Sequence, residues 1–342
     1  MYKVAVSGIN AVDNPGPGVG VAKSIKQGDL EVKVFGLAYD AMEPGIYMDW
    51  LIDRSFLMPY PSKGEEPFLQ RLFYIKERYG LDVVIPNLDA ELPLFIKAQK
   101  ELSSFGIKTF LPTEEQFKLR SKGELPKIAE EVGLKVPKTI TVTSYEDFVK
   151  AVNEIGFPLM VKGVFYEAYK AFNISQATAY FNTLVSKWGY PVIVQEVVSG
   201  EEMNVVGVGD GEGGHFGLVA IKKLWITSLG KIWTGITVKN EKLLQAAQSF
   251  VSAFKWRGGF EVESIVSENE VYLIEINPRF PAWVYFATGV GINLPLRLLK
   301  AALGMEPERD WEYEAGKLYV RFTDDFITDM DKFQEVIVNG EA

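Results

Sequence analysis

The order of strand-like and helix-like runs in the first third of the chain constrains the fold more than any other feature. "YKVAVSG", "VKVFGLA" and "DVVIPN" read as strands, while "VGVAKSIKQ", "PFLQRLFYIKERYG" and "AELPLFIKAQKELSSFG" carry helical spacing. When a helix intervenes, the chain returns to the end where it started, so the next strand lies parallel to the last. The alternation predicts an α/β unit on a parallel sheet over residues 1–111.

The rest of the chain divides again. A section from 112 to 190 opens on the Thr-x-x-Gln capping pattern "TEEQ", continues through "ELPKIAEEVG" and the Ser-capped "SYEDFVKAVNEIG", and reaches the strand "FPLMVKG" and the helix "SQATAYFNTLVSKWG". A third section, 191–342, runs through several strands, the amphipathic "EKLLQAAQSFVSAFKW", and "LPLRLLKAALG", stopped by Gly304. Three units suit 342 residues, at roughly 100–200 residues per domain.

Composition narrows the chemistry. The 47% apolar and 24% charged residues are those of a globular protein. A net charge of −9 argues against a nucleic-acid partner, though a local lysine cluster can still hold a phosphate. Zero Cys excludes thiolate zinc sites, disulfides and a Cys nucleophile, and the single His215 leaves little room for histidine chemistry. No run reaches the ~18 apolar residues of a membrane span, and "MYKVAVSGIN" reads as a first strand rather than a signal peptide. The expected location is the cytoplasm, without a membrane partner.

"EVESIVSENEVYLIEINPRF", Glu261 to Phe280, raises a different problem. With a turn at Glu268 to Glu270, centred on Asn269, hairpin arithmetic sets Glu263 opposite Glu275 and Glu261 opposite Asn277. The other face takes Phe260, Val262, Val266, Tyr272, Ile274 and Ile276, a packing surface. Like charges directly opposed on a sheet are destabilising, and a hard divalent cation that prefers oxygen ligands would remove the conflict.

Other motifs are ambiguous alone. In "GINAVDNPGPGVGVAK", Val21 stands where a dinucleotide fingerprint needs its third Gly, so a flexible turn or an anion site at a helix N-terminus competes with a nicotinamide site. Lys162 ends the strand "FPLMVK", and "IVQEVVSGEE" is a strand running into an acidic turn with Glu201 and Glu202. Each could be a solvated surface. Their order is more telling: two lysine-bearing segments, an apolar strand with an acidic turn, then a carboxylate hairpin ending in Glu-x-Asn-Pro-Arg.

This ordered set resembles the ATP-grasp superfamily, and "LIEINPRF" is most similar to its branch with carbamoyl phosphate synthetase and biotin carboxylase. The resemblance covers the whole chain and implies a Rossmann-like domain at 1–111, an N-terminal ATP-grasp lobe at 112–190 and a C-terminal lobe at 191–342 with the Mg-ATP site. Carried over by residue, Lys122 and Lys162 bind phosphates, and the backbone of Glu196 and Val198 reads adenine. Glu202 holds the ribose, while Glu263, Glu275 and Asn277 hold Mg²⁺, two ions with Mn²⁺ as a substitute. Arg279 sits at the reacting acyl phosphate, with Lys162 beside it in catalysis. The residue types suit a polyanion, since phosphoryl transfer is catalysed by positioning and charge neutralisation. A salt bridge to a neighbouring Glu is the structural alternative for Arg279. The sequence departs from the family at "GVFYEAYKAFN", where a Gly-rich loop is usual and Tyr166 and Tyr169 stand instead. A third cation could be Lys222, Lys223 or Lys231.

The resemblance implies that a carboxylate attacks the γ-phosphate and an amine then displaces phosphate: a carboxylate–amine ligase for small molecules such as amino acids, releasing ADP, with room for a homo-oligomer. One ATP unit, with no further chain for partner domains, argues against full carbamoyl phosphate synthesis and against biotin carboxylase itself. Asp89 and Glu91 follow a strand in the first section and either recognise an amino group or start the next helix. Trp283 and Tyr285 offer pocket walls or core packing. Two other classes compete: a catalytically silent ATP-binding module and a nicotinamide oxidoreductase.

Overall fold

The computed structural model describes residues 1–10, 16–164, 167–227, 230–267 and 270–342. Glu268 and Asn269 in the expected hairpin turn, and Tyr166, lie outside the described residues.

The chain opens with β1 (Tyr2–Ser7), α1 (Pro17–Lys26), β2 (Val32–Ala38), β3 (Arg54–Leu57), α2 (Glu65–Tyr79), β4 (Val83–Ile85), α3 (Leu92–Lys97), α4 (Gln99–Ser104) and α5 (Glu114–Lys118). It continues through α6 (Leu125–Val132), β5 (Thr139–Val142), α7 (Tyr145–Ile155), β6 (Leu159–Gly163), β7 (Ala168–Ala171), α8 (Ile174–Trp188) and β8 (Val192–Glu196). The remainder is β9 (Glu201–Asp210), β10 (His215–Ile226), β11 (Ile232–Val238), α9 (Glu241–Phe254), β12 (Arg257–Val266), β13 (Val271–Asn277), α10 (Tyr285–Gly289), α11 (Leu294–Leu303), β14 (Leu318–Val320) and α12 (Met330–Asn339).

By contacts the chain forms two compact units: Met1–Arg120 with Met203–Val262 and Ile276–Ala342, and Ser121–Glu202 with Glu263–Glu275. The first unit holds the parallel sheet that the alternation predicts, extended by β3, which the strand–helix alternation does not include, in the order β3-β2-β1-β4. A core cluster joins Val4, Val6, Val21 and Ile25 of this region to Val206, Val219, Trp283 and Leu298. The second sheet runs β13-β12-β9-β10-β11-β14. The second unit has an antiparallel sheet, β5-β8-β6-β7, packed on α7 and α8 around Phe148, Val161, Phe181 and Val194.

Local signals form as the spacing requires. Thr113 and Gln116 make a reciprocal capping box on α5, and the Ser144 side chain accepts from the Asp147 amide at the start of α7. The Gly-rich turn is explained by close backbone approach: a Cβ on Gly18 would lie 2.1 Å from the Ser7 carbonyl oxygen. The Gly18 amide donates to Gly8 O at 2.9 Å, so this helix start is partly capped by the chain's own backbone.

Three expectations are revised. Glu201 and Glu202 begin β9 instead of sitting in a turn, because the chain is already alongside its neighbour at Gly200, where a Cβ would lie 2.6 Å from Val266 O. The hairpin packs on both faces. Phe260, Val262 and Ile276 are buried, but so are Val271 and Leu273 on the carboxylate side, while Val266, Tyr272 and Ile274 are only half-buried. The loop expected across "GVFYEAYKAFN" contains β7, whose Tyr169 stacks on Tyr180 with centroids 4.8 Å apart.

Candidate active site

In the second unit, Lys162 is the penultimate residue of β6, where alternation turns it away from the buried Val161 and Gly163. Its Nζ donates to Gln195 Oε1 on the adjacent β8. Lys122, just before α6, donates to the carbonyl oxygen of Gly163 at 3.1 Å, so both lysines converge on the end of β6. Burial, and then the charge of Lys122, push Lys162 down to about 8, against the attraction of Glu275 and Glu202. Burial lowers Lys122 as well, again opposed by Glu275. Partly desolvated, and with Lys122 raising the cost of charge on Lys162, the pair would be relieved by a nearby anion.

Glu196 closes β8: its carboxylate accepts from the Lys138 amide at 2.8 Å and its own amide donates to Lys138 O at 2.9 Å. Val198 follows, half-buried in the segment between β8 and β9, and Glu202 is exposed. Glu263 is half-buried and Glu275 exposed, on strands β12 and β13 that neighbour each other in the sheet. Among the described residues no three or more Asp, Glu or His side chains cluster to hold a metal ion.

In the first unit, Arg279 meets Asp89. Nε and Nη2 both donate to Oδ2, at 2.9 and 2.7 Å, and Arg120 reaches Oδ1 at 3.0 Å. Burial alone would raise the Asp89 carboxyl, but the charges of Arg279, Arg120 and Lys231 outweigh it and hold it below its usual value. Lys231, one of the three candidates, feels both Arg279 and Asp89. The salt bridge anticipated for Arg279 therefore exists, with an aspartate far along the chain as the partner.

Asn277 Nδ2 donates to Glu261 Oε2 at 2.9 Å, the cross-strand pair of the hairpin arithmetic. Glu261 Oε1 also accepts from Asn204 at 2.7 Å and from the Trp283 indole at 2.8 Å. Trp283 is 2% exposed and sits in the core. Glu91 is fully buried, with Oε1 accepting from the Ser7 hydroxyl and the amides of Asn87 and Leu88, and Oε2 from Tyr39.

Gln195, Arg120, Asn204 and Glu43 were not singled out by the sequence reading. Asn204 and Gln195 had a signal, a polar residue inside the apolar strands "MNVVGVG" and "VIVQ". Arg120 and Glu43 had none.

Residues 121–282 match the model of the ATP-grasp domain, a span that includes both lysines, the hairpin and Arg279. The chain is 27% identical over 284 residues to the C-terminal section of the carbamoyl phosphate synthase large chain of Aquifex aeolicus, covering 77% of this chain and 52% of that one. It thus spans about half the length of that relative. The biotin carboxylase domain of the Hydrogenobacter thermophilus 2-oxoglutarate carboxylase, solved with MgADP, ADP and bicarbonate, is similar in fold: TM-score 0.67, 15% identity, 91% of this chain and 72% of that one. The L-amino acid ligase of Bacillus licheniformis is similar too, with TM-score 0.64, 16% identity, 89% of this chain and 74% of that one. Residues 121–282, a little under half of the chain, match the ATP-grasp domain, and over this span the chain is similar to the ATP-grasp superfamily.

Proposed function

We propose that the protein is an ATP-dependent carboxylate–amine ligase that forms an amide or peptide-like bond through an acyl phosphate, releasing ADP and phosphate. The observation that carries this reading is the convergence of Lys122 and Lys162 at the end of β6, both with depressed basicity. A depressed lysine beside another lysine is costly without a ligand, and a polyphosphate relieves it.

In this reading Lys122 and Lys162 hold phosphate oxygens, Glu196 C=O and Val198 N–H read the adenine edge, and Glu202 takes the ribose hydroxyls. The donor chemistry fits Mg²⁺, since Glu263 and Glu275 offer carboxylate oxygens, and Asn277, whose Nδ2 is turned to Glu261, would present Oδ1. When bound, MgATP supplies the phosphoryl group and neutralises its charge. Arg279, oriented by Asp89, holds the carboxylate and then the acyl phosphate oxygens. Residues 1–111 serve substrate recognition, 112–190 and 191–342 the nucleotide. The MgADP and bicarbonate of the Hydrogenobacter neighbour, and the amino acid substrates named for the Bacillus one, support nucleotide and substrate class alike.

The test is ADP release from MgATP against pooled amino acids and other small carboxylates, with Glu275→Gln and Lys162→Met as blanks. Release from one pool, lost in both variants, supports the ligase. Nucleotide binding without release from any pool indicates the silent module instead.

A further inference from the structure

The carboxyl ends of the four parallel strands surround a cavity of about 450 Å³ in the first unit, where α/β sheets take their ligands. Asn10 follows β1, Tyr39 and Glu43 follow β2, Tyr60 follows β3, and Glu91 follows β4, all lining it. Among the described residues the lining contains the acids Asp40, Glu43 and Glu91 and no basic residue.

Two of these groups point to an occupant. Glu91 is spent on holding Ser7, Tyr39 and the loop at Asn87 and Leu88. Glu43 is different. It is 7% exposed, its Oε1 accepts from the Tyr39 amide at 2.8 Å, and its Oε2 has no hydrogen-bond partner among the described residues. Asn10 Oδ1, also buried, lacks one too. Buried acceptors are normally satisfied, so these two oxygens call for a donor, and the acids of the lining favour one that carries positive charge. Burial lifts the Glu43 carboxyl to about 7, a value that a bound cation would bring down again. The Tyr39 and Tyr60 rings, stacked 5.9 Å apart at 25°, add an aromatic wall suited to an aliphatic stem or an ammonium group.

We propose that this cavity binds the ammonium end of a small substrate, with the side chains of Glu43 and Asn10 as acceptors and the Tyr39 and Tyr60 rings as its wall. The loop after β4 gives the site its place: Asp89 holds Arg279, while its neighbours Leu88, Ala90 and Glu91 line the cavity. The occupant's role as the amine-bearing substrate rests on the ligase reading; its binding does not.

The test is calorimetric titration of the nucleotide-free full chain at about pH 8, where Glu43 is ionised. The probes are n-butylamine, 1,4-diaminobutane, glycine and L-lysine, with n-butanol as the uncharged control. At least one amine should bind while n-butanol does not, and Glu43→Gln should weaken that binding about tenfold or more. Glu43→Gln keeps an oxygen for the Tyr39 amide; Tyr60→Ala, at a ring 53% exposed, is a second variant that should fold and weaken n-butylamine. No amine binding below roughly 10 mM, or equal binding by wild type and both variants, overturns the site. ADP release without amine binding overturns the cavity alone. Amine binding without ADP release from any pool overturns the ligase and the substrate role with it, and leaves the site standing.

Discussion

Arg279 holds Asp89 through two nitrogens, at 2.9 and 2.7 Å, across 190 residues of chain. Both contacts fall on a single carboxylate oxygen, while Arg120 takes the other at 3.0 Å. The guanidinium is thereby oriented in the ligand-free chain, which in the proposed reaction would lower the cost of ordering it at an oxyanion.

Removing that orientation should affect turnover more than binding. Asp89→Asn is expected to destabilise the fold by about 1–2 kcal/mol, as a charge-assisted contact is lost, and to cut kcat tenfold or more. ATP affinity should be unchanged and Asp89→Glu should recover part of kcat. Urea unfolding with steady-state kinetics checks both; a loss confined to stability would make the pair purely structural.

Lys162 should make nucleotide binding pH-dependent. Its ammonium titrates at about 8 in the ligand-free protein, and a bound phosphate would raise that value. The proton is then favoured in the complex, so affinity falls as the pH rises above about 8, by up to about tenfold per unit. Lys162→Arg, charged throughout this range, should flatten the profile. A wild-type affinity constant from pH 7 to 9 would remove Lys162 from the phosphate site.

Glu261 should matter for stability in proportion to the donors it satisfies. It is 3% exposed and accepts from Asn204, Asn277 and Trp283. Glu261→Leu strands three buried donors and should cost about 3–5 kcal/mol in chemical unfolding. Glu261→Gln, which keeps one acceptor oxygen, should cost less; equal losses would point to packing instead.

Glu43 should make stability fall with rising pH. Its carboxyl is lifted from 4.5 to about 7, chiefly by burial and further by Glu91 and Asp40, so the folded state binds the extra proton between these values. That contribution is complete below 4.5 and is lost as the pH climbs through about 7, up to about 3 kcal/mol in all. Tyr39, also facing Glu43, has its hydroxyl raised by burial and by Glu91, and stays neutral over this window. Unfolding midpoints of wild type and Glu43→Gln from pH 5 to 8 should diverge along that slope; parallel curves would mean that Glu43 ionises normally.

Much was legible in the residues because it is local. The capping box of Thr113 and Gln116 depends on a three-residue spacing, and Gly304 stops α11 by adopting a φ of 81°. The pairing of Glu261 with Asn277 follows from counting outward along one hairpin. The parallel sheet follows from the strand–helix alternation, since each crossover returns the chain to the same edge.

What the amino-acid order determined by itself is therefore the type of each element and the residues that face together within it: Lys162 at a strand end, the carboxylates along one hairpin face, Arg279 just beyond. Only the tertiary structure decided which distant elements meet. Asp89 reaches Arg279, Lys162 finds Gln195, and Glu43 is buried beside Tyr39 with one oxygen unpaired among the described residues. Those contacts depend on sheet order, register and burial summed over the whole core, and periods of two and 3.6 residues carry no record of them.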